Sequence, residues 1–147
     1  MKVLFAVQDE QISTKIVKEY QKKYKEIISY KNIYYFNAIL KELQRDKTYD
    51  RIVIDEEIEE LSSTNYKEKD KFIFDKLDNI SDEAIDSRGQ DIPIILICSE
   101  RRTKSEEIFV KLFGLGIYNA IIGNDRSVDQ VCRLLNKPRS KKEAKIY

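Results

Sequence analysis

Acidic side chains follow two apolar runs of the chain, at points where the sequence turns polar. Asp9 and Glu10 come after Val3 to Val7, and Asp55 ends the run that begins at Arg51. Such continuous runs are typical of strands that are covered on both faces. If both strands belong to one parallel sheet, Asp9 and Asp55 lie at the same edge. Oxygen ligands of this kind suit Mg²⁺, but each residue could also cap a turn or begin a solvated loop.

The composition excludes several other kinds of chemistry. The chain has 147 residues, a net charge of +1 and no histidine. This charge gives no general case for nucleic-acid binding. The missing histidines remove the commonest general base and the histidine metal sites. Cys98 and Cys132 both lie in apolar segments, which favours buried free thiols in a reducing cytoplasm.

No apolar run approaches the roughly 20 residues that a membrane-spanning helix needs, so we expect no membrane insertion. The apolar start of the chain turns acidic at Asp9, and we interpret it as a first strand rather than a signal peptide.

Five apolar runs alternate with segments that carry a helical period. The predicted strands are 3–7, 26–30, 51–55, 93–98 and 120–123. Helices are indicated between and after them, the last one capped by Ser127. This alternation predicts a doubly wound α/β fold of the flavodoxin type, with a five-stranded parallel sheet in the order 2-1-3-4-5 and helices on both faces.

The same pattern predicts one domain over residues 1–136, followed by a basic linker or mobile tail over 137–147 that leads to further chain. The segment 56–91 is longer than one helix and two tight loops require. We therefore expect an extended or mobile loop in that segment.

Four short motifs, in order and at compatible spacing, resemble the receiver domain of two-component response regulators. They are Val7-Gln8-Asp9-Glu10, Tyr49-Asp50-Arg51-Ile52-Val53-Ile54-Asp55, Ile92-Pro93-Ile94-Ile95-Leu96-Ile97-Cys98-Ser99 and Gly116-Ile117-Tyr118-Asn119-Ala120-Ile121-Ile122. The resemblance covers residues 2–136. It implies that Asp55 is the phosphoacceptor and that Asp9, Glu10 and Asp55 hold Mg²⁺.

The departures from the family pattern are as informative as the matches. Gln8 stands at the first acidic position, and Cys98 takes the position of the Ser/Thr switch, with Ser99 one residue later. The Lys–Pro pair that follows the fifth strand in the family is replaced by Gly123-Asn124, and Arg126 is the nearest cation. Because phosphoryl transfer depends on positioning and charge stabilisation, these losses predict a slow and uncoupled phosphorylation site.

The resemblance therefore favours a degenerate receiver, or pseudo-receiver. We expect it to be non-enzymatic, to need no cofactor and to act as a protein interaction module in signalling or localisation. Such domains occur at the N-terminus of ATPases that localise pilus or secretion machinery, and beside output domains. The expected interface lies on helix 4, strand 5 and helix 5, where it would support a homodimer through Ile108, Leu112, Tyr118, Arg126 and Arg133.

Two alternatives remain open. The first is a working Mg²⁺-dependent phosphoacceptor, with Asp55 as acceptor and Ser99 or Arg126 replacing the missing groups. The second is a small-molecule domain of the flavodoxin type. The loop Gln8-Asp9-Glu10-Gln11 disfavours the second alternative, because its chemistry suits a cation rather than an anion.

Overall fold

One parallel sheet organises the computed structural model, which describes residues 1–61, 64–102, 106–122 and 127–145. The strand order is β2-β1-β3-β4-β5. All neighbouring strands are parallel, and Ala6 pairs with both Ile33 and Ile54. The strands are β1 (Lys2–Ala6), β2 (Ser29–Ile33), β3 (Arg51–Asp55), β4 (Ile94–Ile97) and β5 (Asn119–Ile121). The predicted fold class and strand order are confirmed.

In the described ranges, six helices surround this sheet, and its two faces bury separate apolar clusters. The helices are α1 (Glu10–Tyr24), α2 (Phe36–Arg45), α3 (Tyr66–Glu83), α4 (Glu106–Gly114), α5 (Val128–Asn136) and α6 (Lys141–Ala144). Alternate residues of a strand face opposite sides. Phe5 accordingly packs with α1 and α5, whereas Leu4 packs with α2, α3 and α4. The expected helices on both faces are therefore present.

Polar side chains cap the first turns of four of these helices, including α6, where Ser140 accepts from the Glu143 amide. The carboxylate of Asp9 accepts a hydrogen bond from the Gln11 amide, and Asn65 does the same for Lys67. Ser127 caps α5, as predicted, by accepting from the Gln130 amide. These caps satisfy amides that the helical pattern leaves unpaired, and they fix where each chain segment leaves the sheet.

The second strand begins three residues later than predicted. The pair Ile27-Ile28 suggested a strand over 26–30, but only Ile28 is buried and Ile27 is 71% exposed. The strand instead starts where the Ser29 amide donates to the Met1 carbonyl oxygen. Because β2 is an edge strand whose first three side chains are exposed, its apolar pattern does not mark its ends.

The segment 56–91 contains a helix between the third and fourth strands, as predicted. Half of the segment forms α3, a helix of 18 residues. The following turn is closed by an antiparallel bridge between Ile85 and Asp91 and passes through Gly89 with φ +80°. The helix indicated between the third and fourth strands is confirmed, because Ile73, Leu77 and Ile80 lie in helical phase and are buried. The extended or mobile loop expected in the rest of the segment stays a prediction.

The described part of the C-terminal segment packs against the edge strand β5. The Asn119 side chain accepts a hydrogen bond from the Arg139 amide at 2.7 Å, and Ala144 of α6 is buried. Lys141 lies 5.9 Å from the Phe113 ring centroid. These contacts fasten residues 139–144 to the end of α4 and the start of β5, and the role of 137–147 as a linker stays a prediction. Within the described ranges, no helix is both long and apolar enough to cross a membrane.

A hydrogen-bonded network around Glu42 ties α2 to β2 and to the segment that precedes β3. This carboxylate is buried, yet it accepts hydrogen bonds from Arg45, Lys31 and the Tyr49 hydroxyl. The bond from Arg45, supported by the other two donors, outweighs burial and lowers the pKa of Glu42 to about 2.

The depressed pKa of Glu42 predicts an acid-sensitive contribution to stability. The contribution is fully present above the ordinary value of 4.5 and is lost as the pH falls towards about 2, because protonation removes the acceptor charge. Chemical unfolding of the wild type and Glu42→Gln at a series of pH values measures it. We expect a shallower decline for Glu42→Gln across this window, and parallel curves would contradict the assignment.

Gly116 precedes β5 with φ +85°, and a Cβ there would lie 3.1 Å from the Ser81 hydroxyl oxygen. We expect Gly116→Ala to lower the free energy of unfolding by about 1–2 kcal/mol, because a side chain is strained in this conformation. Gly114→Ala is the control, since its Cβ would meet nothing within 4 Å and φ is not positive. Denaturant titration should show Gly114→Ala neutral or stabilising, and equal losses would refute the explanation.

Candidate functional site

The carboxyl ends of β1, β3 and β4 bring the predicted site residues to one edge of the sheet. Ala6 of β1 pairs with Ile54, and Asp55 of β3 pairs with Ile97 of β4. Asp9 follows β1 and Ser99 follows β4, so both leave the sheet at the edge where Asp55 ends its strand. The topological argument from the sequence is thus supported by the register.

The two aspartates are engaged by their own loops. Asp9 is exposed, and its Oδ1 accepts from the Gln11 amide at 2.8 Å as the cap of α1. The Oδ1 atom of Asp55 accepts from the Glu57 amide at 2.9 Å and shapes the turn after β3. Gln8 connects the two loops, because its Nε2 donates to the Glu57 carbonyl oxygen at 3.0 Å. Asp9 and Asp55 therefore make local capping contacts, which is the alternative role that the sequence left open for them.

The fit of this edge to a metal ion is poor in the described part of the chain. No three His, Cys, Asp or Glu side chains converge there as a ligand set. Glu10 is exposed in the first turn of α1, and Asp9 and Asp55 each already accept from a backbone amide. Mg²⁺ needs oxygen ligands placed close to octahedral geometry. The binding of Mg²⁺ by Asp9, Glu10 and Asp55 therefore stays a prediction.

The two positions after β4 differ in their surroundings. Cys98 is buried in the core, which agrees with the expected buried thiol. Ser99 is also buried, and its amide donates to Glu56 Oε2 at 2.9 Å. Its hydroxyl oxygen is buried without a hydrogen-bond partner among the described residues. Gly123, the third predicted switch position, lies outside the described residues, as does Arg126.

A buried ion-pair network lies beside Asp55. Nε of Arg102 donates to Glu56 Oε1 at 2.8 Å and to Oε2 at 2.6 Å. Nη2 of Arg102 donates to Asp70 Oδ1 at 2.7 Å. Glu56 and Arg102 are only 3% and 5% exposed, so both charges are removed from water. We call Glu56, Asp70, Arg102 and the Ser99 amide the Arg102 network. It joins the end of β3, the first half of α3 and the loop after β4.

The charges within the Arg102 network stabilise each other. Burial alone would lower the pKa of Arg102, but Glu56 and Asp70 outweigh it and raise that pKa. Burial alone would raise the pKa of Asp70. The hydrogen bonds from Arg101 and Arg102 outweigh this effect and hold that pKa below its ordinary value. The guanidinium therefore stays charged between two carboxylates. A buried charge of this kind is tolerated only when it is paired and hydrogen-bonded.

Sequence reasoning missed the Arg102 network. A charged run such as Glu56 to Glu60 normally lies on a solvated face, so it does not by itself indicate a buried ion pair. The signal that could have revealed this network is the position of the charged residues relative to the strands. Acidic residues follow β3, basic residues follow β4, and neighbouring parallel strands end at one edge.

A cleft of about 700 Å³ opens beside this edge. Its lining mixes charges of both signs, among them Glu57, Glu60, Lys69 and Arg101, and includes Gln8 and Ser99. Asp9 and Asp55 are not among the described residues that line it. The cleft is therefore adjacent to the predicted phosphoacceptor and is not centred on it.

The predicted interface needs one correction. Leu112 is 1% exposed and packs in the core, because it lies on the inward stripe of α4. Ile108 and Tyr118 are half-buried, and Arg133 is exposed. Val110, which the sequence analysis did not select, is 71% exposed on α4. The outer surface of α4 is thus marked by Val110 instead of Leu112.

The fold is that of a receiver domain, and solved structures show the likeness over nearly the whole chain. The pilus assembly protein CpaE of Caulobacter crescentus is 11% identical, with 92% of this chain and 95% of that chain covered and a TM-score of 0.59. The N-terminal domain of a response regulator/sensory box/GGDEF protein of Carboxydothermus hydrogenoformans is 13% identical, with 100% and 96% covered and a TM-score of 0.57. The Mn²⁺-bound form of response regulator Rcp1 is 14% identical, with 91% and 88% covered and a TM-score of 0.54.

Neither a protein-family model nor a curated protein matches the sequence. At these identities the structural likeness establishes the fold, and the receiver-like fold predicted from the four motifs is confirmed.

The burial of Arg102 predicts a large difference between two adjacent arginines. Arg102→Met should lower the free energy of unfolding by about 3–5 kcal/mol, because Glu56 is left buried without its cation. Arg101 also contacts Asp70, but its side chain is 29% exposed. Arg101→Met should therefore cost no more than about 1 kcal/mol. Denaturant unfolding compares the two variants, and similar losses would show that the buried pair has no special role.

Proposed function

We propose that this chain is a pseudo-receiver, an atypical receiver domain that binds other proteins in signalling or localisation without conventional phosphorylation. We further propose that it catalyses no reaction and requires no cofactor. The observation that carries the proposal is the charge arrangement at the carboxyl edge. Among the described residues, Arg102 is a buried cation at this edge that Glu56 and Asp70 hold, while Asp9 and Asp55 each accept a hydrogen bond from an amide of the loop that follows.

The absence of family groups at three positions supports the same proposal. Gln8 carries an amide where the family has an acid, and that amide is bonded to the loop after β3. Cys98 presents a weakly hydrogen-bonding thiol at the switch position. Gly123-Asn124 stands in place of Lys–Pro. Each change removes a charge or hydrogen bond that phosphoryl transfer would use.

The partner is proposed to be a protein, in the form of an attached output or ATPase domain. The likeness to a pilus assembly protein and to the first domain of a three-part response-regulator protein supports this setting. We also propose a cytoplasmic location. Nucleic acid is not proposed as a partner, since the net charge of +1 gives no basic footprint.

The contact surface is proposed to lie on α4, β5 and α5, with a second copy of the chain as its occupant. Val110 exposes an apolar side chain at the centre of α4, and Arg133 is exposed on α5. Ile108 and Tyr118 are half-buried beside them, and Arg126 belongs to the same predicted set. Lys141 of α6 approaches Phe113, which itself stacks on Tyr118 at 5.4 Å between ring centroids. The C-terminal segment therefore borders this surface.

A titration with Mg²⁺ and then beryllofluoride tests whether Asp55 is a phosphoacceptor, because beryllofluoride mimics a phosphoryl group on aspartate. Backbone amide NMR of the wild type and Asp55→Asn provides the readout. We expect no saturable shifts near Asp9, Asp55 or Ser99 at millimolar Mg²⁺. Saturable shifts that disappear in Asp55→Asn would overturn the proposal in favour of a working Mg²⁺-dependent phosphoacceptor.

Self-association is tested by light scattering across a range of protein concentrations. We expect a concentration-dependent dimer that Val110→Asp shifts to monomer, because a charge at the contact would have to be desolvated. Ile27→Asp is the matched control, since Ile27 is equally exposed at 71% but lies before β2. A wild type that remains monodisperse and monomeric at high concentration would remove the homodimer.

A further inference from the structure

The loop that follows β4 is anchored by a carboxylate that the chain itself supplies. Glu56 comes directly after Asp55, and its Oε2 accepts from the Ser99 amide at 2.9 Å and from Arg102 Nε at 2.6 Å. One buried anion therefore holds both ends of the segment 99–102. The Arg102 amide closes this segment by donating to the Ser99 carbonyl oxygen at 3.1 Å.

The Arg102 network is also coupled to α4 through Phe74. The Arg102 guanidinium lies 5.3 Å from the Phe74 ring centroid, and Lys111 Nζ of α4 lies 4.6 Å from the same centroid. Phe74 belongs to the core cluster that contains Leu112 and against which Ile108 packs. In addition, α4 begins at Glu106, four residues after Arg102 in the sequence. Arg102 and Lys111 of α4 therefore share one ring, which couples the position of Arg102 to α4.

We propose that the Arg102 network is a permanent internal anchor that holds the loop after β4 and α4 in a single arrangement. The Glu56 carboxylate is a permanent part of the chain, so it holds α4 in place without phosphorylation of Asp55. The inference rests on the proposed function, in which α4 carries the contact surface, and it names what fixes that surface. It also explains why Glu56 and Arg102 are buried together, since an exposed pair would hold the loop only weakly.

The alternative is that the network is an ordinary stabilising ion pair with no local effect on α4. Glu42 offers a matched comparison elsewhere in the fold. It is 5% exposed, against 3% for Glu56, and it also accepts from an arginine, but it belongs to α2. Removing either charge should destabilise the domain, and only removal of the Glu56 charge should loosen α4 in particular.

Amide hydrogen exchange of the full chain, with no partner and no phosphoryl mimic, tests the proposal in the wild type, Glu56→Gln and Glu42→Gln. Amides of Leu4 and Phe5 in β1 report global unfolding. We expect Glu56→Gln to speed exchange of the Ser99 amide and the α4 amides by about tenfold beyond any change in β1, because they open locally. We expect Glu42→Gln to leave the ratio of α4 to β1 exchange unchanged.

Asp70→Asn provides a second variant in case Glu56→Gln does not fold, because Asp70 reaches Arg102 from the partly exposed side of the network. It should loosen α4 in the same direction but by a smaller factor. Exchange in α4 that changes only as much as exchange in β1, or that accelerates equally in Glu42→Gln, would overturn the internal anchor. Since the readout involves neither beryllofluoride nor a partner, its failure would leave the pseudo-receiver proposal standing, and the reverse also holds.

Discussion

The buried pairing of Glu56 with Arg102 is the constraint on which the carboxyl edge of the sheet depends. Two charges with exposures of 3% and 5% have been removed from water, and Asp70 completes the coordination of the guanidinium. Removing one member of such a set leaves an uncompensated buried charge. The end of β3, the start of α3 and the loop after β4 must therefore stay together for the domain to remain folded as it is.

The same edge of the sheet also carries the predicted site residues. The strand order and register bring Asp9, Asp55 and the loop after β4 to one place, as the fold requires. Among the described residues at that place, Asp9 caps α1, Asp55 shapes a turn, and Gln8 links the two loops. These contacts help to fix the arrangement of the loops at this edge.

The sequence correctly predicted those elements whose hydrophobic pattern follows from their place between two layers of helices. The strands β1, β3 and β4 are covered on both faces, so their continuous apolar runs identified them, and Ser127 was recognisable as a helix cap. The edge strand β2 was misplaced because Ile27 and Ile28 form an apolar pair outside the strand. Leu112 was assigned to the surface although its position on the α4 stripe places it inside.

The candidate site was harder to predict for a different reason. That Asp9 and Asp55 share an edge follows from topology alone. Glu56 and Arg102 are 46 positions apart in the sequence, so their pairing depends on the chain folding back. A charged run, moreover, normally indicates solvent exposure. Because pairing in three dimensions decides whether a charge can be buried, no local pattern distinguishes Glu56 from Glu57 or Arg102 from Arg101.

The most direct measurement is the intact mass of the protein after incubation with a small-molecule phosphodonor and Mg²⁺, compared with Asp55→Asn. We expect both proteins to keep their original mass, because Gln8 and Cys98 stand where the resemblance places an acid and a hydroxyl that would assist phosphoryl transfer. A species heavier by one phosphoryl group in the wild type, and absent in Asp55→Asn, would contradict the pseudo-receiver and establish Asp55 as a working acceptor.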